Sequence, residues 1–265
     1  MLRIKFKNDA DVLARVMISK SMMPKKFAHY LWDNCKLSYS LLLKDIKSNE
    51  IDNNIILELQ QQDFFRNYYE KAKKNLERIQ NIWKKNSDRI NSFLKKIFKK
   101  EFTLDSTAII VPPSLNTGTS IGNNQIVWGH VNGVNDENYD LVYLVHESLH
   151  SYFEKNDLTH TIIENIADIE LAKFLNKTNS YEGHPDLKSM HIKILPFWNL
   201  YLNKGLEEIE RENKINNIAY NLKDFVEYKT KIKNLNIDEF VEFLEKLNLD
   251  KLLDIKSSYT IYKKS

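Results

Sequence analysis

Near the middle of the chain, residues 140–155 read DLVYLVHESLHSYFEK. Within this apolar run, His146, Glu147, Ser148, Leu149 and His150 place two imidazoles and a carboxylate in five consecutive positions. A helix that only packs would carry leucine or isoleucine there. Residues four apart lie on one helix face, so His146 and His150 can aim at a single ion. Glu147 then stands beside that ion, placed to take a proton from a water that the metal activates. Imidazole and carboxylate donors with one open position are the pattern of catalytic zinc, so Zn2+ is the expected cofactor.

A catalytic zinc needs a third protein ligand. His160 is one candidate, but its spacing from HESLH does not fit the long histidine-rich motif of the metzincins, and that motif's glycine is absent. The better candidate lies in TIIENIADIELAKFL, where Glu164 and Asp168 are four apart on one face of the next predicted helix. In an antiparallel hairpin turning near Asp157, His150 and Glu164 are each seven residues from the turn, and His146 and Asp168 each eleven. Glu164 is then level with His150 and completes the ligand set. Asp168 is level with His146 and accepts a hydrogen bond from its other ring nitrogen, as carboxylates behind metal ligands do. Thr161 to Glu164 also matches a capping box, in which Glu164 would only cap a helix. Asp157 and Thr159 offer earlier caps, which favours the ligand reading.

Along the rest of the chain glycine and proline are sparse, and four of the six glycines fall between Thr117 and Val134. The turn-rich part is therefore one central segment with helical sequence on both sides. Strands are expected at STAIIVPP, at NQIVWGHV (Asn124–Val131) and at the N-terminal MLRIKFK. Helices are expected at Phe27–Leu43, Ile55–Lys99, Tyr139–Lys155, Thr159–Leu175, Pro185–Leu202, Leu206–Tyr228 and Ile237–Leu247. The expected fold is α+β, mostly helical, with a small sheet preceding the HESLH helix and an antiparallel helix hairpin carrying the metal. The expected division is an N-terminal helical part, 1–100, with a strand at its start, and a catalytic part, 101–265, with C-terminal helices.

Composition is that of a soluble globular chain: 265 residues, 42% hydrophobic and 28% charged. No apolar run approaches a membrane span, so no membrane partner is expected. The N-terminus lacks a signal-peptide layout, and the single cysteine, Cys35, cannot form an internal disulfide. Cys35 reads as a small buried hydrophobe, and a cytoplasmic location is expected. Net charge is +3, yet residues 71–100 hold eleven Lys or Arg against two acids. Such a stripe raises nucleic acid or an acidic surface as a partner. Leu76, Ile79, Trp83, Ile90, Phe93 and Ile97 recur at heptad-like spacing, however, so a packing helix with a solvated basic back is the better reading, and nucleic acid is not expected.

HESLH at 146–150, an HExxH pattern, and ENIAD at 164–168 together resemble the two motifs of the gluzincin, or thermolysin-like, zinc metallopeptidases. The resemblance covers roughly Ser106 to Leu175 of this chain, against the family pattern of a motif helix followed by a glutamate-bearing one. It implies that His146, His150 and Glu164 bind zinc, that Glu147 is the general base, that Asp168 orients His146, and that the substrate is a peptide or protein. It also implies that a strand before the motif helix lines the cleft and pairs with extended peptide; Asn124–Val131 is the candidate. Members use a downstream histidine or tyrosine on the oxyanion, for which His184, His191, Tyr181, Tyr201 and Tyr220 are available. His130 adjoins the glycine-rich segment, where contact with substrate is one reading and a plain surface residue the better one. Two other readings stand beside the peptidase. One is a catalytically silent protein of the same fold that uses the basic 71–100 helix to meet nucleic acid or an acidic partner. The other is a helical protein without metal.

Overall fold

The computed structural model describes residues 1–20, 22–26, 53–115, 117–130, 136–176, 184–205, 207–209, 211 and 228–247. The expected helices Phe27–Leu43 and Leu206–Tyr228, and Cys35, fall wholly or mostly outside these residues.

Among the described residues the sheet has four strands: β1 (Leu2–Lys7), β2 (Leu104–Ile110), β3 (Thr117–Gly122) and β4 (Gln125–His130). Their order is β1-β2-β4-β3. β1 runs parallel to β2, with Leu2 opposite Leu104, and β2 runs parallel to β4, with Ile110 opposite Trp128. β3 returns antiparallel to β4 through Asn123 and Asn124, both at positive φ (48° and 55°). Asparagine tolerates that conformation, and a two-residue loop with both φ positive matches the twist of a hairpin.

Alternation along the strands divides their side chains between two faces. Ile109, Val111 and Val127 join a core with α1 (Ala10–Ser19) and α2 (Asn53–Gln60), through Leu13, Met17, Ile56 and Leu59. Ala108, Ile110, Ile126 and Trp128 face the other way, against Ile79 of α3 (Asp63–Phe98) and Leu144 of α4 (Glu137–Leu149). The motif helix α4 is thus seated on the sheet by apolar burial. Along α3, Ile79, Trp83, Ile90 and Ile97 are buried, while Lys71, Lys73, Lys74, Lys84, Lys85, Lys95 and Lys96 are exposed.

After α4 come α5 (Asp157–Glu164), a π-helical segment (Asn165–Leu171) and α6 (Ala172–Asn176). The chain divides into two compact units. One comprises Met1–Ser92, Phe102–Glu154 and Ile163–Tyr181; the other comprises Phe93–Glu101, Lys155–Ile162 and Glu182–Ser265. This differs from the expected 1–100 and 101–265, because β1 pairs with β2 at six positions and so shares a sheet with the chain beyond residue 101. In the second unit, α7 (Lys188–Tyr201) and α8 (Ile237–Lys246) meet through Trp198, Tyr201 and Phe240, the last two stacked at 4.5 Å.

The architecture is α+β, mostly helical, with one small mixed sheet. Among the described residues no helix is long and apolar enough to cross a membrane. One expectation needs correction. β4, the candidate peptide-pairing strand, is interior, with β2 on one side and β3 on the other, so its ladder positions are already used; among the described residues the sheet's edges are β1 and β3.

Candidate metal centre

α4 begins at Asp136, whose carboxylate accepts from the Asn138 backbone N–H, and it ends six residues before the expected Lys155. Leu141, Val142, Leu144, Val145 and Leu149 are fully buried and hold it down. Its other face carries Asp140, Tyr143, His146, Glu147 and His150. His150 is the residue just past the helix, yet its φ of −59° and ψ of −18° keep the helical direction. The i, i+4 pairing therefore survives the helix end, and His146 Nε2 and His150 Nε2 lie 3.2 Å apart.

Asp168 reaches His146 from the π segment, with Oδ2 at 2.9 Å from Nδ1. An ionised carboxylate only accepts, which assigns the proton to Nδ1 and the lone pair to Nε2, on the side of His150. His146 is almost fully buried, which lowers its basicity. The hydrogen bond and charge of Asp168, with the charges of Glu147 and Glu164, outweigh that burial and leave its pKa raised.

Glu164 is the last residue of α5 and is wholly buried. A carboxylate removed from water to that degree needs donors or a cation. It does not cap a helix start. α5 begins seven positions earlier, at Asp157; there Asn156 Oδ1 accepts from the Thr159 N–H at 2.9 Å, and Thr161 Oγ donates to Asp157 O. The capping-box alternative for Glu164 is therefore set aside. Directly after Glu164 the helix widens: the Ala172 N–H bonds Ala167 O, five residues back. The sequence suggested one α-helix over Thr159–Leu175. Wide turns of this kind are rare and gather at functional sites.

Among the described residues, the groups of donors close enough to share a metal ion are His146, His150 and His160, and His160, Glu164 and His184; the expected trio of His146, His150 and Glu164 is not one of these groups, and His160 belongs to both. His160 stands one turn before Glu164 on α5, so that helix offers an imidazole as well as a carboxylate. The rings of His160 and His184 lie 4.7 Å apart.

Of the downstream residues considered for the oxyanion, Tyr201 is a core residue, fully buried, whose hydroxyl donates to Ile97 O. His191 is half-buried on α7, and Tyr181 and Tyr220 lie outside the described residues.

Sequence reasoning missed a second set of polar groups on α4. Asp140 is buried and accepts from Trp128 Nε1 at 2.7 Å and from Arg78 NH1 at 2.6 Å, with His130 Nδ1 at 3.1 Å. His130 is therefore a half-buried residue tied to Asp140 rather than a surface one, and its φ is +87°. Tyr143 stacks on Trp128 at 4.0 Å, one helical turn before Glu147. The available signal was the spacing of Asp140, Tyr143 and Glu147, which are three and four apart and so share a helix face.

Comparison with known protein families, curated proteins and solved structures finds no match to this chain.

Proposed function

We propose that this chain is a zinc-dependent metallopeptidase of the gluzincin kind. In this reading α4 and the helix from Asp157 to Leu171 form the antiparallel hairpin that carries the metal. The observation that carries it is the 3.2 Å between His146 Nε2 and His150 Nε2. Two imidazoles held tetrahedrally by one zinc, at about 2.0–2.1 Å each, place their nitrogens about 3.3–3.4 Å apart. The pair needs almost no rearrangement to become a ligand pair. An N–H···N hydrogen bond alone would give a similar distance. The surrounding charge favours the ion: Glu147, Glu164 and Asp168 all act on His146, and three carboxylates around two imidazoles, with His146 and Glu164 buried, are balanced best by a divalent cation.

His146, His150 and Glu164 would hold the ion. When bound, zinc supplies a Lewis acid toward the scissile carbonyl and brings water into the range of a nucleophile at neutral pH. Asp168 fixes the His146 ring and its tautomer. Glu147, next to a ligand in sequence but not one itself, takes the proton of the attacking water and passes it to the leaving amine. The substrates are peptides or proteins, and the place of action is the cytoplasm.

The test is Glu147→Gln, which keeps the shape of the side chain and removes the base. Zinc should stay at about one per chain, as expected of a site with three protein ligands. Cleavage of a broad peptide library, read by mass spectrometry, should fall by roughly 10²–10⁴-fold. A cleavage performed equally well by wild type and variant would sink the reading.

A further inference from the structure

The heptad seam of α3 accounts for one side of that helix only. Ile79, Trp83 and Ile90 are buried, and the ring of Trp83 lies 6.2 Å from that of Phe6 on β1. The opposite side faces water. Between Arg66 and Arg89 its exposed positions carry eight Lys or Arg against three acids, a balance of +5. The whole chain has a net charge of +3, so the positive excess sits on this one face and the rest of the chain is slightly acidic. A face that only has to be solvated mixes its signs, because like charges three or four apart on a helix repel. Some of these cations are engaged: Arg78 with Asp140, and Lys73 with Glu70, while Lys71 lies 5.5 Å from the ring of Tyr68. Lys74, Lys84 and Lys85 have no anionic partner among the described residues. Lys74 and Lys85 are eleven positions apart. Eleven positions make three helical turns, so the two lie on one line, about 16.5 Å from each other.

We propose that the exposed face of α3 between Arg66 and Arg89 binds nucleic acid through its phosphodiester backbone, without reading sequence, and that Lys71, Lys74, Lys84 and Lys85 supply the contacts. The chemistry of the face selects this partner over two others. A helix that lies on a membrane turns an apolar side toward the acyl chains, and the apolar side of α3 is buried against the sheet. A protein partner needs a central aromatic or aliphatic anchor, and lysine is depleted in such interfaces. The exposed positions of this stretch carry no apolar side chain; Asn67, Gln80 and Asn81 stand among the charges. A nucleic acid asks for neither feature. Duplex DNA carries one negative charge per about 1.7 Å of axis, so a line of flexible point charges meets phosphates in any register. Side-chain amides of the kind interspersed here donate to phosphate oxygens as well. The proposal stands whether or not the chain cleaves peptides, because none of these residues is a proposed metal ligand or base.

The test is binding of the full chain to a fluorescent DNA duplex of mixed sequence, read by anisotropy over a series of salt concentrations. The logarithm of the binding constant should fall with the logarithm of salt at a slope of about −3 to −4, as for four phosphate contacts. The double variant Lys84→Gln/Lys85→Gln should make that slope shallower by about 2 and weaken binding roughly tenfold or more near 0.1 M salt. Lys25→Gln/Lys26→Gln removes the same charge from exposed positions outside this face and should change binding by less than about threefold. Both pairs are exposed, so each variant should unfold in urea at the wild-type midpoint. No binding by the wild type at about 50 mM salt, where such contacts are strong, would overturn the proposal. Equal losses in the two double variants would overturn it too, since binding would then follow net charge rather than this face. Binding of polyglutamate or of phosphatidylserine vesicles in place of the duplex, with the same dependence on Lys84 and Lys85, would give the face to another partner and overturn it as well.

Discussion

Asp168 Oδ2 meets His146 Nδ1 at 2.9 Å across twenty-two positions of sequence. That bond joins the π segment to the motif helix, and it fixes which nitrogen of His146 is left to bind. Asp168→Ala should keep the fold and weaken metal binding by roughly 10–100-fold, the usual effect of removing a carboxylate behind a histidine ligand. Isothermal titration of the metal-free protein measures it, with Glu170→Ala as the control on the same segment. Equal effects from the two substitutions would remove Asp168 from the site.

The identity of the third ligand divides Glu164 from His160, which share α5. Glu164→Ala should lose most bound zinc at low free metal, because a three-ligand site reduced to two binds far more weakly. His160→Ala should retain it. Metal analysis of protein purified without a histidine tag decides between them, and the opposite result would assign the ligand to His160.

Gly118 is required by close approach. A methyl at this position would lie 2.6 Å from both Trp128 and Tyr143. Gly118→Ala should destabilise by about 1–3 kcal/mol, the range for overpacking a closed interior. Urea unfolding should show a lower midpoint with an unchanged slope. A midpoint equal to wild type would mean that the two rings yield freely to the added methyl.

The pairing of Asp168 with His146 was legible from counting outward from Asp157, because helix periodicity is local and a short turn preserves height. The π segment that delivers Asp168 was not legible. An i to i+5 bond arises when packing on both sides of a helix fixes its ends and leaves a residue over, and no residue type in NIADIEL announces it. The break between α2 and α3 at Gln61 and Gln62 was equally silent, since neither is glycine or proline; it follows from Ile55, Ile56, Leu59 and Phe65 all entering one core. The strands beside the site were visible as apolar runs, but their order was not, because β1 and β2 are joined across about a hundred residues, and such pairings carry no local mark. Asp140 and Tyr143 stand among the apolar residues before HESLH and carry no local mark of their contacts. Their partners, Trp128 and Arg78, come from elements distant in sequence.

The wide turn between Glu164 and Ala172 has a consequence for how this chain tolerates change in length. A π turn contains one residue more than an α turn of the same span, so it is a helix with a spare residue stored in its middle. An insertion or deletion in an ordinary helix rotates everything beyond it by about 100°. Loss of one residue between Ile169 and Leu171 would instead relax the wide turn into an α turn, leaving the spacing of Glu164 and Asp168 and the direction of α6 close to what they are. The same loss between Leu141 and Val145 would swing His146 out from beneath Asp168. Of the two helical arms that build this site, one has slack in its length and the other has none.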